Sequence, residues 1–281
     1  MKIEYRVTWI DTLGSKQIPP VDIISIGSES CLFPLLTQNL IKAMADIKSK
    51  GVTLKLVTPR VRQHNIHRVI DLLQSIQREG IPLEIVVNDW GLFYYCSQIT
   101  NIFHIHIGRQ LCRSLLDCPW NKEILSNETE FVGQAISGHP YSDQDRWEYL
   151  SHSGVIGIEI NAAGSDIQAF KRLEKHGLHV ALHDNEYLLS CGSVCLAKRL
   201  EPSMPCQELC GKRFLAEPLG KWHNSFDNKV PFTPYEQSLL QGMQIQGKKV
   251  LLPQKVSPET LYYIDTLIIG NENKIIDRRM A

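Results

Sequence analysis

VDIISIG at residues 21–27, LTQNLIKAMADIKSKG at 36–51 and TLKLVTP ending at Pro59 read as strand, helix, strand. The first is an apolar, β-branched run of the kind buried in a parallel sheet. In the second, Leu40, Met44 and Ile47 share one helical face and Gly51 stops the helix. HRVIDLLQSIQREG (67–80) repeats the helical pattern and also ends in glycine. LEIVVND (83–89) and IFHIHIG (102–108) give two more strands with a short helical segment between them. After a polar stretch around 119–146, WEYLSHSG leads into the strand VIGIEIN (155–161), the helix DIQAFKRLEKHG and the strand HVALHD (179–184).

Strands alternating with helices imply parallel pairing through right-handed crossovers. KKVLLP (248–253) and TLIIGN (266–271) are predicted to supply the last two strands of an α/β, TIM-like (β/α)8 barrel, whether complete, incomplete or distorted. An open doubly wound sheet is the alternative, because periodicity does not report closure. No internal repeat or linker interrupts the pattern, so residues 1–281 read as one domain with a cysteine-rich segment at 191–210.

The composition is that of an ordinary globular chain, 43% hydrophobic and 21% charged. The 30 basic residues balance the 30 acidic ones, so no overall field draws the chain toward nucleic acid or an anionic membrane. Lys198, Arg199, Lys212 and Arg213 are interleaved with Glu201, Glu208 and Glu217, the pattern of a solvated face. The start, MKIEYRVTWIDTLG, lacks a secretory signal's apolar core, and no run is apolar for long enough to cross a bilayer. The chain therefore reads as cytoplasmic, where thiols stay reduced and clustered cysteines point to metal or catalysis rather than disulfides.

The cysteines concentrate in CGSVCLAKRLEPSMPCQELC, where Cys195, Cys206 and Cys210 form a C-x10-C-x3-C array with Cys191 four residues upstream. Another, Cys31, directly follows the first strand of the alternation. Four thiolates can hold a [4Fe–4S] cluster. Cys191, Cys195, Cys206 and Cys210 can equally hold zinc in the tetrahedral count that ion prefers. Buried free thiols are the third reading, and the usual fate of lone cysteines such as Cys96, Cys112 and Cys118.

The motifs around these cysteines resemble the peptidase U32 family, and within it the UbiU/UbiV-like iron–sulfur proteins of oxygen-independent ubiquinone hydroxylation, UbiV more than UbiU. VDIISIGSESC is similar to that family's first strand running into a Gly-x-x-x-Cys turn, and IVVNDWGLFYYC to its "ND-x-G" segment. HIGRQLCRSLLDCP resembles its "GR-x-L" segment, and CLAKRLEPSMPCQELC its late cysteine block. The resemblance implies a [4Fe–4S] cluster on Cys31, Cys195, Cys206 and Cys210, with Cys191 spare. The late block is two residues shorter than the UbiV pattern between its first and second cysteines, which leaves Cys191 and Cys195 as alternatives for the first late ligand. It also implies a role in oxygen-independent hydroxylation, a paralogous U32 partner subunit and a small aromatic substrate. A peptidase or peptide-maturation factor, a non-catalytic iron–sulfur partner and an RNA-hydroxylation factor are the alternatives. The neutral charge disfavours RNA, and neither H-E-x-x-H nor G-x-S-x-G supports proteolysis.

Other candidates lie at predicted strand ends, where parallel α/β folds gather their sites. Asn88 and Asp89 are placed to bind substrate or to cap the next helix. Arg109 can clamp a carboxylate bidentately or form a structural ion pair. Glu159 is expected to point inward, where a buried carboxylate needs a partner. His104 and His106 share one strand face, as a metal pair or as a polar pair at the barrel mouth. Trp90, Phe93, Tyr94 and Tyr95 can stack on an aromatic substrate or pack a helix on the sheet. No glycine-rich nucleotide motif occurs, so neither nicotinamide nor ATP is implied.

Overall fold

The structure is a computed structural model that describes residues 1–14, 20–99, 103–113, 129, 144–161, 175, 177–184, 186–216, 221–222, 229–230, 234–253, 258–270 and 275–276. In chain order its strands are β1 (Lys2–Val7), β2 (Ile23–Gly27), β3 (Thr53–Val57), β4 (Leu83–Val87), β5 (Phe103–Ile107), β6 (Val155–Ile160), β7 (His179–His183), β8 (Glu186–Cys191), β9 (Arg213–Leu215), β10 (Lys221–Trp222), β11 (Lys229–Val230), β12 (Gln244–Gln246), β13 (Lys249–Pro253), β14 (Thr266–Gly270) and β15 (Ile275–Ile276). Eight of them close a barrel in the order β1-β14-β7-β6-β5-β4-β3-β2, every neighbour parallel. The fold is the expected TIM-like α/β barrel, and its closure removes the open-sheet alternative.

The outer faces of the strands follow from their sequences. Ile24 and Ile26, Leu54 and Leu56, Ile85 and Val87, and Ile105 and Ile107 alternate at period two and pack against helices Leu40–Lys48, Ile66–Arg78 and Trp90–Ser97. Those helices answer with Met44 and Ile47, Leu73 and Ile76, and Leu92 and Phe93, all buried.

The interior is different, because the alternate positions are largely charged. Glu4, Lys55 and Glu159 are almost completely buried there. Lys55 Nζ donates to Glu4 at 2.8 Å and lies 3.6 Å from Glu84, while Arg6 bonds Glu4 at 2.6 Å and both oxygens of Glu159. Each charge has an opposite partner, which offsets much of the cost of taking it out of water. Glu84 meets His106 Nε2 at 2.9 Å. Burial would raise the Glu84 carboxyl, but His106 and Lys55 outweigh it and hold it at about 2. The carboxylate therefore accepts, Nε2 carries the imidazole proton, and Nδ1 faces Gly157, where a Cβ would stand only 2.6 Å away.

One strand assignment needs correction. KKVLLP does not enter the barrel: β13 pairs antiparallel with β12 and β8 in a separate five-stranded sheet, β15-β9-β12-β13-β8. Its barrel place belongs to Lys2–Val7, which lies between β14 and β2. Glu4 and Arg6 disguised that strand, since an interior lined by charge does not read as an apolar run. TLIIG does complete the barrel, as β14. The strands β10 and β11 form a two-stranded ribbon. Most of the expected helix DIQAFKRLEKHG and of the polar stretch 119–146 lies outside the described residues, as does Cys118.

Candidate functional site

The site is built where the five-stranded sheet meets the carboxyl ends of the barrel strands. Gly27 ends β2 with a φ of 113°, and a Cβ there would come within 2.4 Å of the Val57 carbonyl oxygen. Only glycine allows this exit, which turns the chain into Ser28, Glu29, Ser30 and Cys31. The turn is tied by Ser30 N donating to Ser28 Oγ at 3.2 Å. It is held from across the barrel by Arg109, which donates from Nε to Glu29 Oε2 at 2.7 Å and from Nη2 to Oε1 at 2.5 Å.

The late cysteines come from two short helices. Cys195 precedes helix Leu196–Leu200. Cys206 and Cys210 begin and end the second helix, one turn apart and so on one face. The β12–β13 hairpin anchors both: Ala197 N donates to the Gly247 carbonyl at 3.0 Å, and Gln246 Nε2 to the Cys210 carbonyl at 2.9 Å. Ion pairs bind this unit to the barrel. Glu186 lies 2.6 Å from Arg109 and 2.7 Å from Arg213, and Lys249 lies 3.5 Å from Glu29.

Cys31, Cys195, Cys206 and Cys210 line one pocket of about 550 Å³. Trp9, Phe33 and Leu36 supply apolar wall, and Arg68, Lys198, Lys248 and Lys249 line it without any carboxylate. The thiols feel one another. Burial first, then the proximity of Cys206, Cys31 and Cys195, pushes the Cys210 thiol up to about 12 against a hydrogen bond from Trp9. Burial likewise raises Cys31, opposed by a backbone hydrogen bond at Phe33 and by Lys248. Among the described residues, no three His, Cys, Asp or Glu side chains are drawn together closely enough to hold a metal ion. Cys191 lines a neighbouring cleft instead. Cys96 and Cys112 are core thiols: Cys96 is pushed up to about 12 by burial, and Cys112 Sγ donates to the Ile107 carbonyl at 3.5 Å.

The other predicted residues are engaged by the protein itself. Asp89 caps helix Trp90–Ser97, accepting from Gly91 N at 2.9 Å and Leu92 N at 3.2 Å, and also accepts from Val61 N. Asn88 donates to the Thr58 carbonyl at 2.9 Å and accepts from Gln110 N at 3.3 Å. Arg109 clamps carboxylates, but those of Glu29 and Glu186. Burial would raise Glu29; Arg109 and Lys249 overcome it and hold its carboxyl at about 2. Glu159 points inward as expected and faces Arg6 and His183, the latter at 3.3 Å. His106 is buried on Glu84 while His104 is exposed. Phe93 joins the core, Trp90 and Tyr94 are exposed, and none of the four aromatics lines the cysteine pocket.

Sequence reasoning missed Glu29, Glu186 and Trp9. Glu29 carried a signal, lying between the strand-ending Gly27 and Cys31. Glu186 carried none, because its importance comes from Arg109 and Arg213 meeting it from distant segments.

No family model and no curated protein matches this sequence. Among solved structures the chain is similar to the U32 peptidase Mk0906, with a TM-score of 0.45 and 10% identity over 97% of this chain and 93% of that one. At that distance the likeness carries no functional statement about this chain.

Proposed function

We propose that this chain is an iron–sulfur protein in which Cys31, Cys195, Cys206 and Cys210 hold one [4Fe–4S] cluster at the carboxyl end of the barrel. The observation that supports this reading is the convergence of these four cysteines on one pocket, while Cys191 faces another. The donor set suits the group chemically: four thiolates carry their negative charge beside four lining cations and no lining carboxylate. Zinc fits less well. The zinc alternative needs Cys191 beside Cys195, Cys206 and Cys210, and Cys191 lines the neighbouring cleft.

The cluster supplies one-electron transfer. The protein's own contribution is to fix the ligands: Gly27 and the Arg109–Glu29 pair set Cys31, and the β12–β13 hairpin sets the other three. The resemblance of the motifs to UbiU/UbiV-like proteins supports a role in oxygen-independent hydroxylation of a small aromatic substrate, beside a paralogous U32-like subunit. Analysis of anaerobically purified protein for iron, sulfide and zinc tests the reading. A brown protein with about four irons and four sulfides per chain, colourless as Cys31→Ala, is expected. Stoichiometric zinc, or full iron retention in Cys31→Ala, overturns it.

A further inference from the structure

Beside the cysteine pocket lies a cleft of about 280 Å³. Arg60 and Arg62 reach it from the loop after β3, Arg68 from the first turn of helix Ile66–Arg78, and Lys248 from the β12–β13 turn. The one carboxylate in its wall is Glu29, already matched by Arg109 at 2.5 Å and Lys249 at 3.5 Å. Among the described residues, none of Arg60, Arg62, Arg68 and Lys248 has a carboxylate within ion-pair distance. Three separate segments thus bring unmatched cations to one concavity, on the face where (β/α)8 barrels bind their substrates. Arg60, Arg62 and Arg68 are exposed, and cations grouped around a concavity give a local positive potential that an entering anion meets from several sides.

The charge of a cluster does not explain all four. Arg68 and Lys248 border both cavities and would answer the thiolates. Arg60 and Arg62 border only the second. The two cavities share the wall of Ser30, Phe33 and Leu36, so a molecule anchored in one lies against the other.

We propose that this cleft binds the carboxylate or phosphate of a small-molecule substrate, with Arg60 and Arg62 as the anion-binding residues and the remainder of the substrate directed along the shared wall. Guanidinium groups suit both anions, which they meet with paired hydrogen bonds. This names the substrate class for the site proposed above, and its link to redox chemistry rests on that reading; anion binding itself does not.

Calorimetric titration of the anaerobically purified protein with inorganic phosphate, and separately with benzoate, tests it. Saturable binding of at least one anion is expected, weakened tenfold or more in Arg60→Ala/Arg62→Ala at unchanged iron and sulfide content and melting temperature. Whichever anion binds more tightly identifies the group. Equal affinity in the double variant, or no saturable binding of either anion, overturns the proposal. So does tighter binding of a single-stranded RNA than of both anions, lost in the same variant. Because the titration also runs on protein without a cluster, its failure is distinguishable from failure of the iron–sulfur reading.

Discussion

Arg109 grips Glu29 with two parallel hydrogen bonds, 2.7 Å from Nε and 2.5 Å from Nη2, at a point where both side chains are almost wholly buried. The pair joins the end of β5 to the turn that carries Cys31. A second carboxylate, Glu186, makes the arginine the link between barrel and second sheet. Arg109→Met leaves Glu29 as a buried charge without its main partner, a change that costs about 3–5 kcal/mol. Denaturant unfolding is expected to show that loss, and a double-mutant cycle with Glu29→Gln a coupling well beyond the sum for independent sites. Additive effects would mean that the pair does not hold the turn.

Cys191 and Cys195 are separated by one short turn but face different cavities. Cys195→Ala is expected to lose most of its iron and visible absorption, while Cys191→Ala keeps both. The two variants purified side by side under anaerobic conditions give the answer by metal analysis. The reverse result would assign the first late ligand to Cys191.

The barrel was legible because its outer faces are so regular: Ile24 and Ile26, Ile85 and Val87 repeat at period two between helices with matching stripes. What was not legible, beyond an inward-facing Glu159, is how the polar axis is paired. Lys2–Val7 does not read as a barrel strand from its own residues, because Glu4 and Arg6 find their partners on β3 and β6, which no local pattern announces. KKVLLP looked like a barrel strand because an apolar run does not say which sheet it joins. The cysteine block was visible as spacing; its gathering with Cys31 depends on closure of the barrel and on the Glu186–Arg109 link, both long-range. Asp89 shows the converse, a strand-end carboxylate whose contacts in the structure are helix-capping and loop-tying ones.

Gly157 is small for a reason found on the neighbouring strand. A Cβ there would sit 2.6 Å from His106 Nδ1 and 2.8 Å from the His179 carbonyl oxygen. Gly157→Ala must displace the imidazole from Glu84 or push β6 from β7, an overpacking cost of about 1–3 kcal/mol. If displacement of the ring is the cause, His106→Ala recovers part of the loss. A thermal-denaturation series of the two single variants and the double variant reads this directly. No recovery would place the strain at the His179 carbonyl instead.

The same polar axis sets the response to acid. His106 is held below its ordinary value first by burial and then by Lys55, against the pull of Glu84. A depressed histidine leaves stability complete above the unfolded-state pKa of about 6.5; below it the unfolded chain takes up a proton that the folded one refuses. Glu29 and Glu84 are held at about 2, and Glu159 and Glu186 well below the usual carboxylate range, because Arg6, Arg109, Lys249 and their neighbours outweigh burial. Their contribution is present above an unfolded-state value of about 4.3 and drains away as pH falls toward 2. Both effects have the same sign, so the denaturant midpoint is expected to fall gently below pH 6.5 and steeply below about pH 4. Replacing Glu84 with Gln removes one depressed carboxylate, so the variant is expected to be less stable at pH 7 and to lose less on acidification. A midpoint that holds constant from pH 7 to pH 3 would show that the axis charges are not paired as the structure has them.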